Sequence, residues 1–144
     1  MKIVKNLCIG LCLLYGVQGI LGQEMTAKKY ENPQWYNIVH IDYLPGKFNE
    51  ARTIIADYFI KANEKSGTNG PTMVLELNSG PYDIMAVWHM EEGIESMNWE
   101  MSPDNVKWRK ALNEIAGTAE KAGEIMRQYQ SCIASTSNQI ARLR

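Results

Sequence analysis

The chain has 144 residues, of which 45% are hydrophobic and 22% charged, and its formal charge is −1. This length is typical of one globular domain. The near balance of 15 basic and 16 acidic residues excludes a basic surface built to bind nucleic acid or anionic lipid.

The first 22 residues have the three parts of a secretory signal peptide. Lys2 and Lys5 make the start basic, an apolar run follows at Leu7–Val17, and small residues surround the expected cleavage site after Gly22, with Gly19 as the alternative. The apolar run is shorter than the roughly 20 residues that span a bilayer. We therefore expect a signal peptide at 1–22, export to the periplasm or outside the cell after its cleavage, and no stable membrane anchor.

Cleavage changes the cysteine and charge counts. Cys8 and Cys12 lie within the signal peptide, so Cys132 alone remains and no intramolecular disulfide can form. The bulky Leu11 before Cys12 disfavours lipid attachment there. Loss of Lys2 and Lys5 leaves 13 basic and 16 acidic residues, a formal charge of −3. Nucleic acid is therefore not an expected partner.

A polar segment at 23–33, which we expect to be flexible, precedes a single domain at 34–144. Trp35–Tyr43 is rich in β-branched and aromatic residues and predicts a strand. Alternation places Trp35, Asn37, Val39, Ile41 and Tyr43 on one face and Tyr36, Ile38, His40 and Asp42 on the other. After a turn at Pro45–Lys47, apolar residues three and four apart predict a helix over Phe48–Lys65.

Two further strands, Thr72–Asn78 and Asp83–Met90, predict a hairpin with a four-residue connection at Ser79–Tyr82. This loop length places Glu76 opposite Met85 and Thr72 opposite His89. One face of the hairpin then carries the polar side chains together with Val74, Met85 and Val87. The other face carries Met73, Leu75, Leu77, Ile84, Ala86 and Trp88.

The C-terminal third predicts two helical stretches and a last strand. Glu91–Met101 is acidic and irregular, with one helical turn around Ile94–Met97. Ser102-Pro103-Asp104 supplies a cap, a proline and an acid for a helix start. Gly117-Thr118 interrupts that helix, and Ile133–Leu143 is read as a fourth strand, although a helix remains the alternative.

This order of elements predicts an α+β fold, the ferredoxin-like split βαβ sandwich. In it, an antiparallel sheet carries helices on one face. The second face is half apolar, with Ile38, Val74, Met85 and Val87, and would be costly to leave in water. Pairing of two sheets across a twofold axis covers such a face, so we expect a homodimer.

Residues 34–143 resemble the dimeric α/β-barrel superfamily, in particular its small monooxygenase-like, EthD-like and NIPSNAP-like domains. The resemblance rests on Tyr43–Lys47 before an amphipathic helix, on the hairpin at Thr72–Met90, and on the acidic segment with its Ser-Pro-Asp helix start. It implies dimerisation of sheets into a barrel and a small molecule held by the sheet. The superfamily includes cofactor-free oxygenases, haem-degrading enzymes, lyases, isomerases and proteins without known activity, so fold alone selects no reaction.

His40 and His89 lie in strands on the face expected inside the barrel, where the two strands could bring them close together. Imidazole titrates near neutral pH, so either histidine is a candidate catalytic base or ligand anchor. The alternative is a histidine hydrogen-bonded within the sheet interface. Glu76 on the same face suggests a two-histidine, one-carboxylate metal site, but the predicted register puts it roughly 13 Å from His89 along the strand. We therefore expect no metal and no cofactor.

Tyr36, His40, Glu76, His89 and Trp99 are the candidate ligand-binding residues. Trp99 is included because an irregular segment leaves it without an evident place in a core. The leading hypothesis is an exported, homodimeric domain that binds a small apolar or aromatic molecule. One alternative is a cofactor-independent, monooxygenase-like enzyme that uses His40 or His89 as its base. The other is a structural or interaction module whose pocket is filled by side chains.

Overall fold

Four strands form one antiparallel sheet in the computed structural model, which describes residues 25–144. They are β1 (Trp35–Tyr43), β2 (Met73–Glu76), β3 (Ile84–Met90) and β4 (Ile133–Arg142), in the spatial order β2-β3-β1-β4. This is the order of the split βαβ, ferredoxin-like fold, as predicted. The signal peptide expected at 1–22 lies outside the described residues.

Residues 25–34 form neither helix nor strand, and one compact unit extends over Asn32–Arg144. Within residues 25–144, no helix is both long and apolar enough to cross a membrane.

Helix α1 follows β1 and has three parts. They are an α-helix at Phe48–Ile54, a π-helical segment at Ile55–Phe59 and an α-helix at Ile60–Ser66. Gly67, in the left-handed conformation, ends the helix. The π-helical segment was not predicted. The carbonyl of Phe59, the last residue of this segment, accepts a hydrogen bond from Nε1 of Trp108 at 3.4 Å. A neighbouring helix therefore supplies a partner where the helical hydrogen-bond pattern is irregular.

Two more helices lie between β3 and β4. A 3₁₀ turn at Gly93–Asn98 leads to α2 (Pro103–Ala116), and α3 (Ala119–Ser131) follows after Gly117. Ser102 Oγ accepts a hydrogen bond from the Asn105 N–H, and Thr118 Oγ1 accepts one from the Lys121 N–H. Both helices therefore begin at a hydroxyl cap, which was predicted for Ser102, and the caps satisfy amide groups that the helix itself cannot.

The core has two parts. Helices α1 and α3 cover one end of the sheet through a cluster containing Ile41, Tyr43, Ala51 and Cys132. The second cluster joins the three helices and contains Ala62, Ala111, Leu112 and Ala122. Helix α2 packs on α1 and α3 rather than directly on the sheet. The other end of the sheet is therefore left to the segment between β3 and α2.

The predicted hairpin register is wrong by one residue. Leu75 lies opposite Met85 and Glu76 lies opposite Ile84. The connection covers residues 77–83, and the Leu77 N–H donates to the Asp83 carbonyl at 2.7 Å inside it. Because side chains alternate along a strand, a shift of one residue moves every β2 side chain to the opposite face.

Candidate functional site

A cleft of about 940 Å³ lies on the helix side of the sheet, at the end that α1 and α3 leave uncovered. Asn37 and Val39 of β1, Trp88 of β3 and residues 138 and 140 of β4 form its floor. Asn69 and part of the segment between Glu91 and Asn105 form the remaining wall. Ligand cavities in proteins commonly have volumes of roughly 300–1,000 Å³, so the cleft has room for a small molecule.

Gly93 allows the wall to approach the sheet. Its φ is +60°, and a Cβ at this position would lie 3.2 Å from Cδ1 of Trp35. Any other residue would combine a left-handed backbone with a close approach to the indole ring. Glycine at position 93 therefore sets how closely the 3₁₀ turn can follow the strand end.

Apolar side chains make up much of the lining, namely Val39, Trp88, Met90, Met97, Trp99 and Ile140. Trp99 is 50% exposed and Met97 is 60% exposed. The indole Nε1 of Trp99 donates a hydrogen bond to Oε2 of Glu92 at 2.8 Å. This bond holds the ring at the cleft without burying it in the core, which agrees with the expectation that Trp99 has no place there.

Carboxylates supply the charge of the cleft. Glu91, Glu92 and Asp104 line it, and none of the lining residues is lysine or arginine. Glu91 accepts a hydrogen bond from Nδ2 of Asn69 at 2.7 Å, and Asp104 forms an ion pair with Lys107 at 2.9 Å. The cleft thus combines aromatic and thioether surface with a negative edge.

Asn37, in the floor of the cleft, has a polar side-chain atom without a hydrogen-bond partner among the described residues. Its Oδ1 atom is buried and has no hydrogen-bond partner within the described part of the chain. Buried amide oxygens are almost always paired, because an unpaired one costs about 1–3 kcal/mol. Such an uncompensated group is more typical of binding sites than of cores.

The opposite face of the sheet carries three of the predicted site residues, Tyr36, His40 and His89. The pairings Tyr36–His89 and His40–Met85 place all three on the face away from the helices, as predicted. The ring of His89 lies 5.3 Å from that of Tyr36, and the ring of His40 lies 5.2 Å from that of Tyr82. His89 is also among the residues that line the cleft.

The two histidines are not brought together. His40 pairs with Met85, four residues before His89, which corresponds to roughly 13 Å along the strand. Nδ1 of His40 is buried without a partner among the described residues. Within residues 25–144, no group of three histidine, cysteine, aspartate or glutamate residues could hold a metal ion.

Glu76 was placed on the wrong face by the predicted register. It lies on the helix side, where its Oε1 atom is 3.5 Å from Nη1 of Arg52 on α1. Both side chains are 60% exposed, so this ion pair is a solvated surface contact. Glu76 is neither on the histidine face nor among the cleft residues.

Three raised pKa values belong to core residues, away from the cleft. Burial raises the pKa of Tyr43 and of Tyr129, whose hydroxyl oxygens are 3.3 Å apart. Burial also raises the pKa of the Cys132 thiol, so this group stays protonated near neutral pH. The sole free cysteine of the described residues is therefore a poor nucleophile.

Sequence reasoning missed most of the cleft. Asn37 and Trp88 were assigned only to strand faces, and Glu91 and Glu92 only to an irregular acidic segment. One signal was present: Asn37 is the single amide in an otherwise apolar and aromatic alternating set. An amide at such a position either bonds within the sheet or faces a cavity, and pattern alone does not distinguish the two.

Comparison with known proteins shows the fold and no more. No protein-family model matches the sequence, and no curated protein matches it. Among solved structures, a NIPSNAP family protein from Agrobacterium tumefaciens superposes with a TM-score of 0.53 at 14% identity, covering 83% of this chain and 93% of that one. A NIPSNAP family protein with unknown function from the same organism gives 0.52 at 13% identity, covering 81% and 94%.

These matches confirm the resemblance at the level of fold. The chain shares the fold of these NIPSNAP family proteins, an antiparallel four-stranded sheet with helices on one side. Members of that superfamily typically dimerise. At 13–14% identity, the matches assign no activity or ligand to this chain.

Proposed function

We propose that this chain, whose fold is that of the NIPSNAP family proteins, is an exported homodimeric protein that binds a small apolar or aromatic molecule in the cleft beside Trp99. The observation that carries the proposal is the position of Trp99. Its ring is half exposed, yet its indole nitrogen is tied to Glu92 at 2.8 Å. A tryptophan that is fixed but not buried is a surface on which a ligand can pack.

The surroundings of Trp99 support the same conclusion. Met97, in the same wall, is 60% exposed, and Ile94 and Met101, in the same segment but outside the lining, are 45% and 47% exposed. Clustered exposed apolar side chains are costly in water and commonly mark binding surfaces. Methionine adapts to ligands of different shape because its side chain is flexible and polarizable. A ligand in the cleft would cover part of this surface.

Tryptophan fluorescence tests the binding proposal. The neutral probe naphthylmethanol is titrated into the mature protein, residues 23–144, and we expect saturable quenching with micromolar to millimolar affinity. Trp99→Ala should weaken binding at least fivefold. Trp108→Phe is the matched control, because Trp108 packs against Phe59 in the helical cluster and lies outside the cleft. Equal affinity in the wild type and Trp99→Ala would contradict binding at this site.

The open face of the sheet supports the homodimer. After correction of the register, Met73 and Leu75 join Ile38, Met85 and Val87 on the face away from the helices. Met73 is 52% exposed and Leu75 is 43% exposed. The correction makes this face more apolar than the sequence predicted. A second copy, paired face to face, would bury it, as is typical of the superfamily.

The enzymatic alternative is supported by one observation, the unpartnered Nδ1 of His40. A free imidazole nitrogen could accept a proton from a substrate bound on the open face. However, His40 lies on the opposite side of the sheet from the cleft floor, where its ring contacts that of Tyr82. Measured turnover that His40→Ala abolishes would favour this alternative over simple binding.

A further inference from the structure

We infer that the molecule bound in this cleft carries a positive charge: an ammonium or quaternary amine attached to an apolar, preferably aromatic, body. This inference rests on the proposed binding function and names the chemical class of its ligand. Three observations support it: the charges of the lining residues, the partners of each carboxylate, and the position of the carboxylates beside the tryptophan rings.

The charge balance of the lining favours a cation. Of its three carboxylates, Asp104 is paired with Lys107 at 2.9 Å. The other two are held by neutral donors, Glu91 by the amide of Asn69 at 2.7 Å and Glu92 by the indole of Trp99 at 2.8 Å. Neutral donors orient a carboxylate but leave its charge in place. Two negative charges therefore face a cavity that has no lysine or arginine in its lining.

The aromatic rings strengthen the preference. The Glu92 carboxylate is bonded to the edge of the Trp99 indole, and Trp88 lies in the floor of the same cleft. An ammonium group is attracted both to a carboxylate and to the face of an indole ring, with tryptophan the most effective of the aromatic residues. One cationic group near Glu92 and Trp99 could use both attractions, whereas an anion would face repulsion from both.

The start of helix α2, which also lines the cleft, is a feature that would favour an anion. Free amide groups at a helix N-terminus attract negative charge. In α2, most of these amide groups are absent or already have a partner. Pro103 has no N–H, the Asn105 N–H donates to Ser102 Oγ at 3.2 Å, and Asp104 adds its own carboxylate to the first turn. The carboxylate of Asp104 thus already compensates the partial positive charge of the helix start. That partial charge does not cancel the negative charges of Glu91 and Glu92.

Three probes with the same ring system test the inference: naphthylmethylamine, naphthylmethanol and naphthoate. Each is titrated by calorimetry into the mature protein at about pH 7.5, where an alkylamine is charged and histidine is mostly neutral. We expect the amine to bind about tenfold more tightly than the alcohol, and the carboxylate most weakly. Added salt should reduce the difference, because the glutamates are exposed to solvent.

Two double variants test whether the preference for the amine over the alcohol comes from the charges of Glu91 and Glu92. Glu91→Gln with Glu92→Gln keeps an acceptor oxygen for Asn69 and Trp99 while removing both charges. We expect this double variant to bind the amine and the alcohol within about twofold of each other. Glu95→Gln with Glu100→Gln is the matched control, because it removes two charges from the same acidic segment at residues outside the lining. The control should keep the full preference for the amine.

The outcomes separate the two proposals. If none of the three probes binds, the proposed binding function fails. If the alcohol or the carboxylate binds as tightly as the amine, the cleft binds ligands but does not select a cation. A preference that survives in the Glu91→Gln, Glu92→Gln protein, or that disappears in the control, would likewise overturn the inference.

Discussion

Leu75 lies directly opposite Met85 in the antiparallel pair of β2 and β3, and both side chains leave the sheet on the face away from the helices. Val74, one residue earlier, lies opposite Ala86 and points to the helix side. These neighbouring residues are similarly exposed, at 43% for Leu75 and 54% for Val74. They therefore provide a matched pair with which the two faces can be compared.

The first prediction concerns dimerisation through the open face. Leu75→Glu should convert the mature protein to a monomer, because it buries a carboxylate in an apolar interface. Val74→Glu should leave the dimer intact, because it adds the same charge at the same edge strand but on the other face. Light scattering gives the mass of each variant. A monomeric wild type, or two variants with the same behaviour, would contradict a sheet-to-sheet dimer.

The second prediction concerns Gly93. Gly93→Ala places a methyl group 3.2 Å from Cδ1 of Trp35 and also requires a left-handed alanine, since φ is +60°. Gly46→Ala is the control: its φ is +78°, but a Cβ there meets nothing within 4 Å. We expect Gly46→Ala to cost about 1–2 kcal/mol of unfolding free energy from backbone strain alone.

Gly93→Ala should cost more than the control and should also weaken binding of naphthylmethanol, because the wall of the cleft must move away from Trp35. Urea denaturation measures the first effect and fluorescence titration the second. If Gly93→Ala and Gly46→Ala lose equal stability and bind the probe equally well, the contact with Trp35 does not shape the cleft.

The third prediction concerns the buried tyrosine pair. Burial raises the pKa of both Tyr43 and Tyr129 in the folded protein. In the unfolded chain, tyrosine ionises at its usual pKa of about 10, whereas the buried tyrosines of the folded protein stay neutral to higher pH. Their contribution to stability is therefore complete below about pH 10 and is lost as the pH rises above it. Unfolding free energy should therefore fall progressively as the pH rises above about 10.

Tyr43→Phe should reduce this alkaline loss, because it removes one of the two buried ionisable hydroxyls. At neutral pH, it should cost about 1 kcal/mol, the typical contribution of a hydrogen bond such as the one to Tyr129. Tyr30→Phe, at a residue 66% exposed, serves as the control. Urea midpoints measured across this pH range give the result, and an unchanged alkaline slope in Tyr43→Phe would argue against the shift.

The fourth prediction concerns processing. Expressed with its complete leader in a bacterial host that exports proteins, the chain should be recovered in the periplasm or medium with Gln23 as its first residue. Replacing Leu13 and Leu14 by arginine should interrupt the apolar run and retain the full-length chain in the cell. Intact-mass measurement distinguishes the two products. An exported chain that keeps residues 1–22 would rule out cleavage.

Much of the fold follows from local pattern. The alternation in Trp35–Tyr43 predicted β1 with the observed bounds. The Ser102-Pro103-Asp104 sequence predicted the start of α2, because a hydroxyl cap and a proline affect backbone groups close to them in the chain. Gly117-Thr118 was predicted to interrupt the helix, and α3 begins directly after it. These features depend on neighbours in sequence, so the sequence is sufficient to place them.

The candidate site was predicted only in part. Trp99 was identified because no core position explained it, and the structure places it in the cleft wall. Glu76 was misplaced because the register of a hairpin depends on the bonds within its loop, here the one from the Leu77 N–H to the Asp83 carbonyl. A single such bond changes the pairing by one residue, and no pattern within the two strands reveals it.

The sequence by itself determined the order of strands and helices, the helix caps and the expectation of a signal peptide, because each depends on residues that are near one another along the chain. Only the tertiary structure decided which face of the sheet is the more apolar and where the cleft lies. Asn37, Trp88 and Glu92 are up to 55 residues apart. They line one cavity because α2 packs on the other helices and leaves that end of the sheet uncovered.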